Sequence, residues 1–85
     1  MNLTVYLRRG CGFAQGLTSF LNALGVPHRT VNIDQDPAAK KSVAAIGGKR
    51  EETPFVDFGD GKLLKMPTNQ EVYERLQSEK AIPPA

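Results

Sequence analysis

Tryptophan is absent from this chain of 85 residues, cysteine and histidine occur once each, and methionine only twice. A lone cysteine, Cys11, cannot close a disulfide within the chain. One sulfur with one imidazole, His28, falls far short of the four ligands of a structural zinc site. No apolar run approaches the ~20 residues that span a bilayer, so no membrane role is expected. A net charge of +2, from 11 basic and 9 acidic residues scattered along the chain, argues against a nucleic-acid partner. The opening "MNLTVYL" lacks the basic and apolar regions of a signal peptide and reads instead as a first strand. These exclusions leave a small cytoplasmic protein carrying one available thiol. Residues 1–80 are expected to form a single domain, above the ~40-residue floor for an unstapled fold, with 81–85 a frayed tail.

What is present is well patterned. "LTVYL" (Leu3–Leu7) is β-branched, aromatic and largely apolar, as a buried central strand is. After "RRGCG", apolar residues at Phe13, Leu17, Phe20, Leu21 and Leu24 predict a helix that closes at Gly25. "HRTVNI" (His28–Ile33) is a second strand. Asp36 as N-cap and Pro37 at the first helical position open a second helix, with Val43, Ala44 and Ile46 as its apolar residues, ending at Gly47-Gly48. "PFVDF" (Pro54–Phe58) alternates as a strand, and Gly59–Gly61 turns it back into "KLLKM". Thr68 and Glu71 form a T-x-x-E capping box ahead of Val72, Tyr73 and Leu76. The order is βαβαββα. The first βαβ requires parallel strands and the glycine turn an antiparallel pair, which together give a four-stranded mixed sheet flanked by three helices.

The chemistry points to Cys11. It stands where a helix begins, so unpartnered N–H groups and the positive end of the helix dipole favour its thiolate, and Arg8 and Arg9 add positive field. Thiols in such settings titrate at ~3.5–7.5 rather than ~8.5. A less basic thiolate is more abundant but less nucleophilic, with a Brønsted slope of ~0.4–0.5, so most of the gain in attack is given back. The greater benefit comes when the sulfur must leave a mixed disulfide. A sulfur suited to both attack and departure performs thiol–disulfide exchange. The plainer alternative, a small buried hydrophobe, fits poorly between Gly10 and Gly12.

"CGFA" at the first helix, "GGKREETPFVDFGDGKLL" across the third and fourth strands and "MPTNQEV" before the last helix resemble the glutaredoxins, of thioredoxin fold, and among them the mycoredoxins and glutaredoxin-like proteins of bacteria. The resemblance runs from about Leu3 to Leu76. It implies that Cys11 is the nucleophile, that the Thr53–Pro54 bond is cis and faces the sulfur, and that the Thr53 main chain pairs with a bound thiol in the manner of a strand. It further implies a low-molecular-weight thiol as co-substrate (mycothiol, bacillithiol, glutathione or coenzyme A), S-thiolated proteins as clients, no bound cofactor or metal, and a monomer. Arg8, Arg9, Thr68 and Asn69 are candidates to hold a carboxylate of that thiol, the last two at a helix N-terminus. Thr68 reads equally as a plain N-cap, and the arginines as solvated charges. Phe13 either shapes the ligand surface or packs on the first strand. His28 reads as a strand-edge residue before a general base, Tyr6 and Tyr73 as core, and Asp57 and Asp60 as turn residues.

Two features depart from that family. "GDGKLLKMPTNQ" replaces the Gly-Gly and polar-Asp segment with which glutathione-dependent members hold the tripeptide. Ala14 occupies the position of the second cysteine of C-x-x-C, or of the serine in monothiol "CGFS". Alanine can neither resolve a disulfide nor donate a hydrogen bond to Cys11. The chain is therefore a natural monothiol form, a CGFC protein changed from cysteine to alanine at position 14, or a relative of the iron–sulfur-carrying monothiol class. The expected activity is release of small thiols from proteins by a monothiol route. The alternative is a carrier in which two chains and two small thiols bridge a cluster through four thiolates.

Overall fold

The computed structural model describes residues 3–79, so the expected frayed tail at 81–85 lies outside the described residues. In chain order the elements are β1 (Thr4–Leu7), α1 (Gly12–Ala23), β2 (Arg29–Asn32), α2 (Pro37–Ala45), β3 (Phe55–Asp57), β4 (Leu63–Lys65) and α3 (Asn69–Ser78). The βαβαββα order is the expected one. A 3₁₀ turn over Arg50–Glu52 was not expected from the sequence; the Lys49 N–H donates to Glu52 Oε1 at 2.9 Å and the Glu52 N–H to the Lys49 carbonyl at 2.9 Å.

The sheet runs β2-β1-β3-β4, with β1 parallel to β2 and antiparallel to β3, and β3 antiparallel to β4. Strand periodicity sorts the core onto both faces. Val5 pairs with Val56 and Tyr6 with Phe55. Val5 and Val56 join Leu3, Leu17, Leu21, Val72 and Leu76 beneath α1 and α3, while Phe55 joins Ile33, Ala39 and Val43 beneath α2. β3 is therefore buried on both sides rather than alternating between core and solvent, because helices cover both faces of the sheet.

Local signals account for the ends of the elements. Asp36 Oδ1 accepts the N–H groups of Ala38 (3.0 Å) and Ala39 (3.1 Å), capping α2. Thr68 Oγ1 accepts the Glu71 N–H at 3.0 Å while Glu71 Oε1 accepts the Thr68 N–H at 3.1 Å, the reciprocal box at α3. Asp57 Oδ1 accepts from the Gly59 and Gly61 N–H groups, and Asp60 from that of Lys62, so both acids shape the hairpin as expected. Arg75 ties that hairpin to α3, bridging to Asp60 at 3.1 Å and lying over the Phe58 ring at 4.8 Å.

Three expectations about faces are corrected. Phe13 is 74% exposed and does not pack on β1; the buried stripe of α1 is Ala14, Leu17 and Leu21, offset by one residue at its start. On α2 the core residues are Ala39 and Val43, whereas Ile46 is 44% exposed and Ala44 also faces out. β2 spans Arg29–Asn32 and so excludes His28, whose Nδ1 lies 2.9 Å from the Val26 carbonyl in a structural contact.

Candidate active site

Cys11 is the N-cap of α1. Gly10 precedes it with φ of 81°, a left-handed conformation that glycine adopts without steric cost. That turn brings the Cys11 N–H to the Arg8 carbonyl at 3.3 Å and starts the helix with the Gln15 N–H on the Cys11 carbonyl at 3.1 Å. The thiol donates to the Thr53 carbonyl, with Sγ 3.4 Å from the oxygen, joining the first helix to the residue before β3. The Thr53–Pro54 bond is cis, as the resemblance implied, and both residues are buried.

Burial is the largest single influence on the Cys11 thiol and pushes its pKa up. It is outweighed by the Thr53 side chain, the main-chain N–H groups of Ala14 and Phe13, and the Arg8 charge, which favour the thiolate. The net direction is down. Arg9 is exposed and contributes nothing resolved at the sulfur, so the two arginines are not equivalent. Access differs from expectation: Cys11 is only 5% exposed rather than an open thiol, with its S–H on the Thr53 carbonyl.

Among the described residues, two buried side-chain polar atoms lack a protein partner, Arg8 Nε and Thr53 Oγ1. Both belong to residues that act on the Cys11 sulfur. Buried donors without acceptors cost free energy, and a functional site is one place where that cost persists. The Arg8 charge also reaches Asp34, whose carboxyl is held low chiefly by its two-pronged bridge to Arg50 at 2.7 and 2.8 Å.

The remaining predicted residues divide. Ala14 is 1% exposed and sits in the core stripe one turn from Cys11. Thr68 and Asn69 are exposed at the start of α3, where the capping box already engages the Thr68 and Glu71 amides and leaves those of Asn69 and Gln70. Sequence reasoning missed Met66. Its N–H donates to the Pro54 carbonyl at 2.8 Å, it adopts φ of 47°, and its side chain is 40% exposed beside the Thr53–Pro54 segment. A non-glycine residue in that conformation carries no sequence signal. Among the described residues no group of three or more metal-ligating side chains occurs. No helix among them is long and apolar enough to cross a membrane.

A glutaredoxin family model matches residues 3–63, most of the chain, from β1 through the cysteine and the Thr53–Pro54 segment into β4. The chain belongs to the glutaredoxin family. Two curated proteins from strains of Mycobacterium tuberculosis, named as glutaredoxins, are 32% identical to it over 74 residues, covering 87% of this chain and 88% of theirs. Among solved structures, the glutaredoxin-like protein NrdH-redoxin of Escherichia coli superposes with a TM-score of 0.72 at 25% identity, over 89% of this chain and 95% of that one. It is described as having a thioredoxin-like activity profile. A buckwheat glutaredoxin–glutathione complex shares the fold, with a TM-score of 0.61 at 22% identity over 92% and 70% of the two chains. This glutaredoxin therefore has the thioredoxin-like fold, and membership of the family makes it a thiol–disulfide oxidoreductase.

Proposed function

We propose that this glutaredoxin releases low-molecular-weight thiols from S-thiolated proteins by a monothiol cycle through Cys11. The observation that carries the proposal is a sole sulfur at the start of α1, favoured as thiolate, with Ala14 buried one turn along where a resolving sulfur would stand. The Cys11 thiolate attacks the small-thiol sulfur of a protein–S–S–R disulfide. That S–S bond breaks, the client leaves as a thiolate and takes a proton from solvent, and Cys11–S–S–R remains. A second small thiolate then attacks the R sulfur, Cys11 departs, and R–S–S–R is released. The cycle balances: one R–SH is consumed, the client's S–S bond to R is exchanged for an S–S bond between two R groups, and the client leaves as a thiol.

The surroundings suit each step. Ionisation removes the proton that Cys11 donates to the Thr53 carbonyl and leaves a thiolate favoured by the Arg8 charge and the Ala14 and Phe13 amides, the form that attacks a disulfide. Arg8, with an unpartnered Nε, offers positive charge to a carboxylate on the small thiol; Arg9 and the Asn69 amide are weaker candidates, and Thr68 serves first as a cap. The main chain of Thr53 beside Pro54 suits strand-like pairing with the bound thiol, and exposed Phe13 supplies an apolar rim for a client. A route that ends in a disulfide within one chain needs two thiols. This chain has one cysteine. Mycothiol, bacillithiol and glutathione are the candidate small thiols, the monomer the acting form, and the cytoplasm the setting, where the pool of reduced thiols is large.

The test is release of a fluorescent small thiol from a labelled protein, with Cys11 followed by intact mass. Release accompanied by a single small-thiol adduct on Cys11 is expected, with little reduction of a client's internal disulfide. In A14C, reduction of internal disulfides should appear. Absence of both adduct and release under reducing conditions would end the proposal.

A further inference from the structure

The two edge strands of the sheet are protected unequally. β4 carries Lys65, with Lys62 just before it and Pro67 just beyond, and lysine and proline are what keep an edge from pairing. β2 has neither: it is β-branched at Thr30 and Val31, and Arg29 is its one charge. The Arg29 and Ile33 N–H groups donate to the Leu3 and Leu7 carbonyls, each at 2.9 Å. Alternation along the strand then turns the main-chain groups of Thr30 and Asn32 away from β1. The Asn32 carbonyl takes the Gln35 N–H, and an open cleft lined by β2, Gln35 and Asp36 runs along this side. An antiparallel strand bonds to every second residue of its neighbour. In a second copy, a twofold axis at Thr30 meets that requirement. Each Thr30 N–H donates to the other Thr30 carbonyl, and each Asn32 N–H to the His28 carbonyl of the other copy. The same register sets Arg29 opposite Val31 of the second copy. Arg29 is exposed and forms no ion pair among the described residues. Val31 and Asp36 line one cleft together, and Asp36 caps α2 through Oδ1 alone. An Arg29 laid across Val31 of the second copy therefore meets a carboxylate oxygen outside the cap, and the axis repeats that pair.

We propose that the β2 edge docks a second copy of this chain, antiparallel about Thr30, joining two four-stranded sheets into one. The charge complementarity of Arg29 and Asp36 selects a second copy over an unrelated strand. Cys11 bonds to Thr53, which leads into β3 on the far side of β1, so both sulfurs stay outside the contact. A few main-chain bonds and exposed ion pairs make a small contact, so association is weak and each chain acts alone at enzyme concentrations.

The test is sedimentation velocity of the full chain, with reductant present to prevent disulfides through Cys11. The weight-average mass should rise from that of one chain toward that of two between about 0.05 and 1 mM, the range of a small transient contact. T30K sets like charges opposite one another at the axis, and R29E turns the attraction to Asp36 into repulsion. Each should weaken association at least about tenfold, and both positions are exposed, so the fold is kept. In a C11A background, T30C should oxidise to a covalent dimer, because bonded residues facing each other across antiparallel strands lie ~5.5 Å apart at Cα, within disulfide range. Q35C in that background should remain a single chain. A wild type that stays monomeric to about 1 mM overturns the proposal and leaves the edge to a strand of another protein. Association that survives both T30K and R29E overturns it too, by placing the contact elsewhere. Loss of small-thiol release by wild type would remove the proposed function and leave this interface standing.

Discussion

Replacing Cys11 with alanine removes the only thiol in the chain and isolates what its ionisation contributes to stability. The folded protein holds the Cys11 pKa below its ordinary value, because the Thr53 side chain, the Ala14 and Phe13 amides and the Arg8 charge outweigh burial. Between that lowered pKa and the ordinary ~8.5, the unfolded chain still carries a proton that the native chain has released. Stability from this source therefore grows as pH rises through the window, is complete above the unfolded value, and is lost as pH falls through the native one. The slope inside the window stays below the ~1.4 kcal/mol per pH unit of a group fully charged in one state and fully neutral in the other. A domain of this size shifts its melting midpoint by ~4–8 °C per kcal/mol, so the midpoint of wild type should climb relative to that of C11A as pH rises through the window, by less than ~5–11 °C per pH unit. Asp34, Glu52 and Asp60 also have lowered pKa values, but they titrate in the acid range and cancel in the difference. The assay is a pair of thermal melts by far-ultraviolet circular dichroism, with reductant present, at steps from about pH 5 to pH 9. A constant offset between the two proteins across that range refutes the reasoning, since it is what a merely packed thiol would produce.

Two further substitutions test the packing around the site. A Cβ at Gly48 would lie 2.7 Å from Phe55 Cε1 and 3.0 Å from Val43 Cγ1, against a ring that is itself fully buried. G48A should cost ~1–3 kcal/mol in urea unfolding, and an unchanged midpoint would show that the ring has room to retreat. Phe13, at 74% exposed, should be dispensable to the fold: F13A should unfold within ~0.5 kcal/mol of wild type while KM for a thiolated protein rises. A loss well above that margin would place the ring in the core after all.

The element order was legible because each boundary carries its own chemistry. Asp36-Pro37 supplies a cap and a preset φ, Thr68 and Glu71 close on one another, and Asp57 folds the Gly59–Gly61 turn onto its carboxylate. Faces were harder to read. Periodicity specifies a stripe but not its first residue, and on α1 the small Ala14 takes the core position that the larger apolar Phe13 was expected to fill. The 3₁₀ turn at Arg50–Glu52 has no apolar period; it depends on local bonds from Lys49 and Glu52, which composition does not announce. Burial of Cys11 was hidden for a related reason. Gly10 speaks to backbone conformation, while the partner of the buried thiol is a carbonyl 42 positions away. The orphaned Thr53 hydroxyl is likewise a tertiary fact, since a threonine before a proline looks the same whether or not its side chain finds a partner.

That carbonyl links the charge on Cys11 to the pairing surface beside it. While Cys11 is protonated, the Thr53 oxygen is occupied by the thiol. Once the proton leaves, nothing remains to donate, and the oxygen becomes free to accept an N–H from an incoming chain. On the proposed reading, ionisation of Cys11 and strand-like docking at Thr53 therefore favour each other. Linkage makes the coupling reciprocal: a ligand paired at Thr53 lowers the Cys11 pKa by the same free energy with which the thiolate strengthens the pairing.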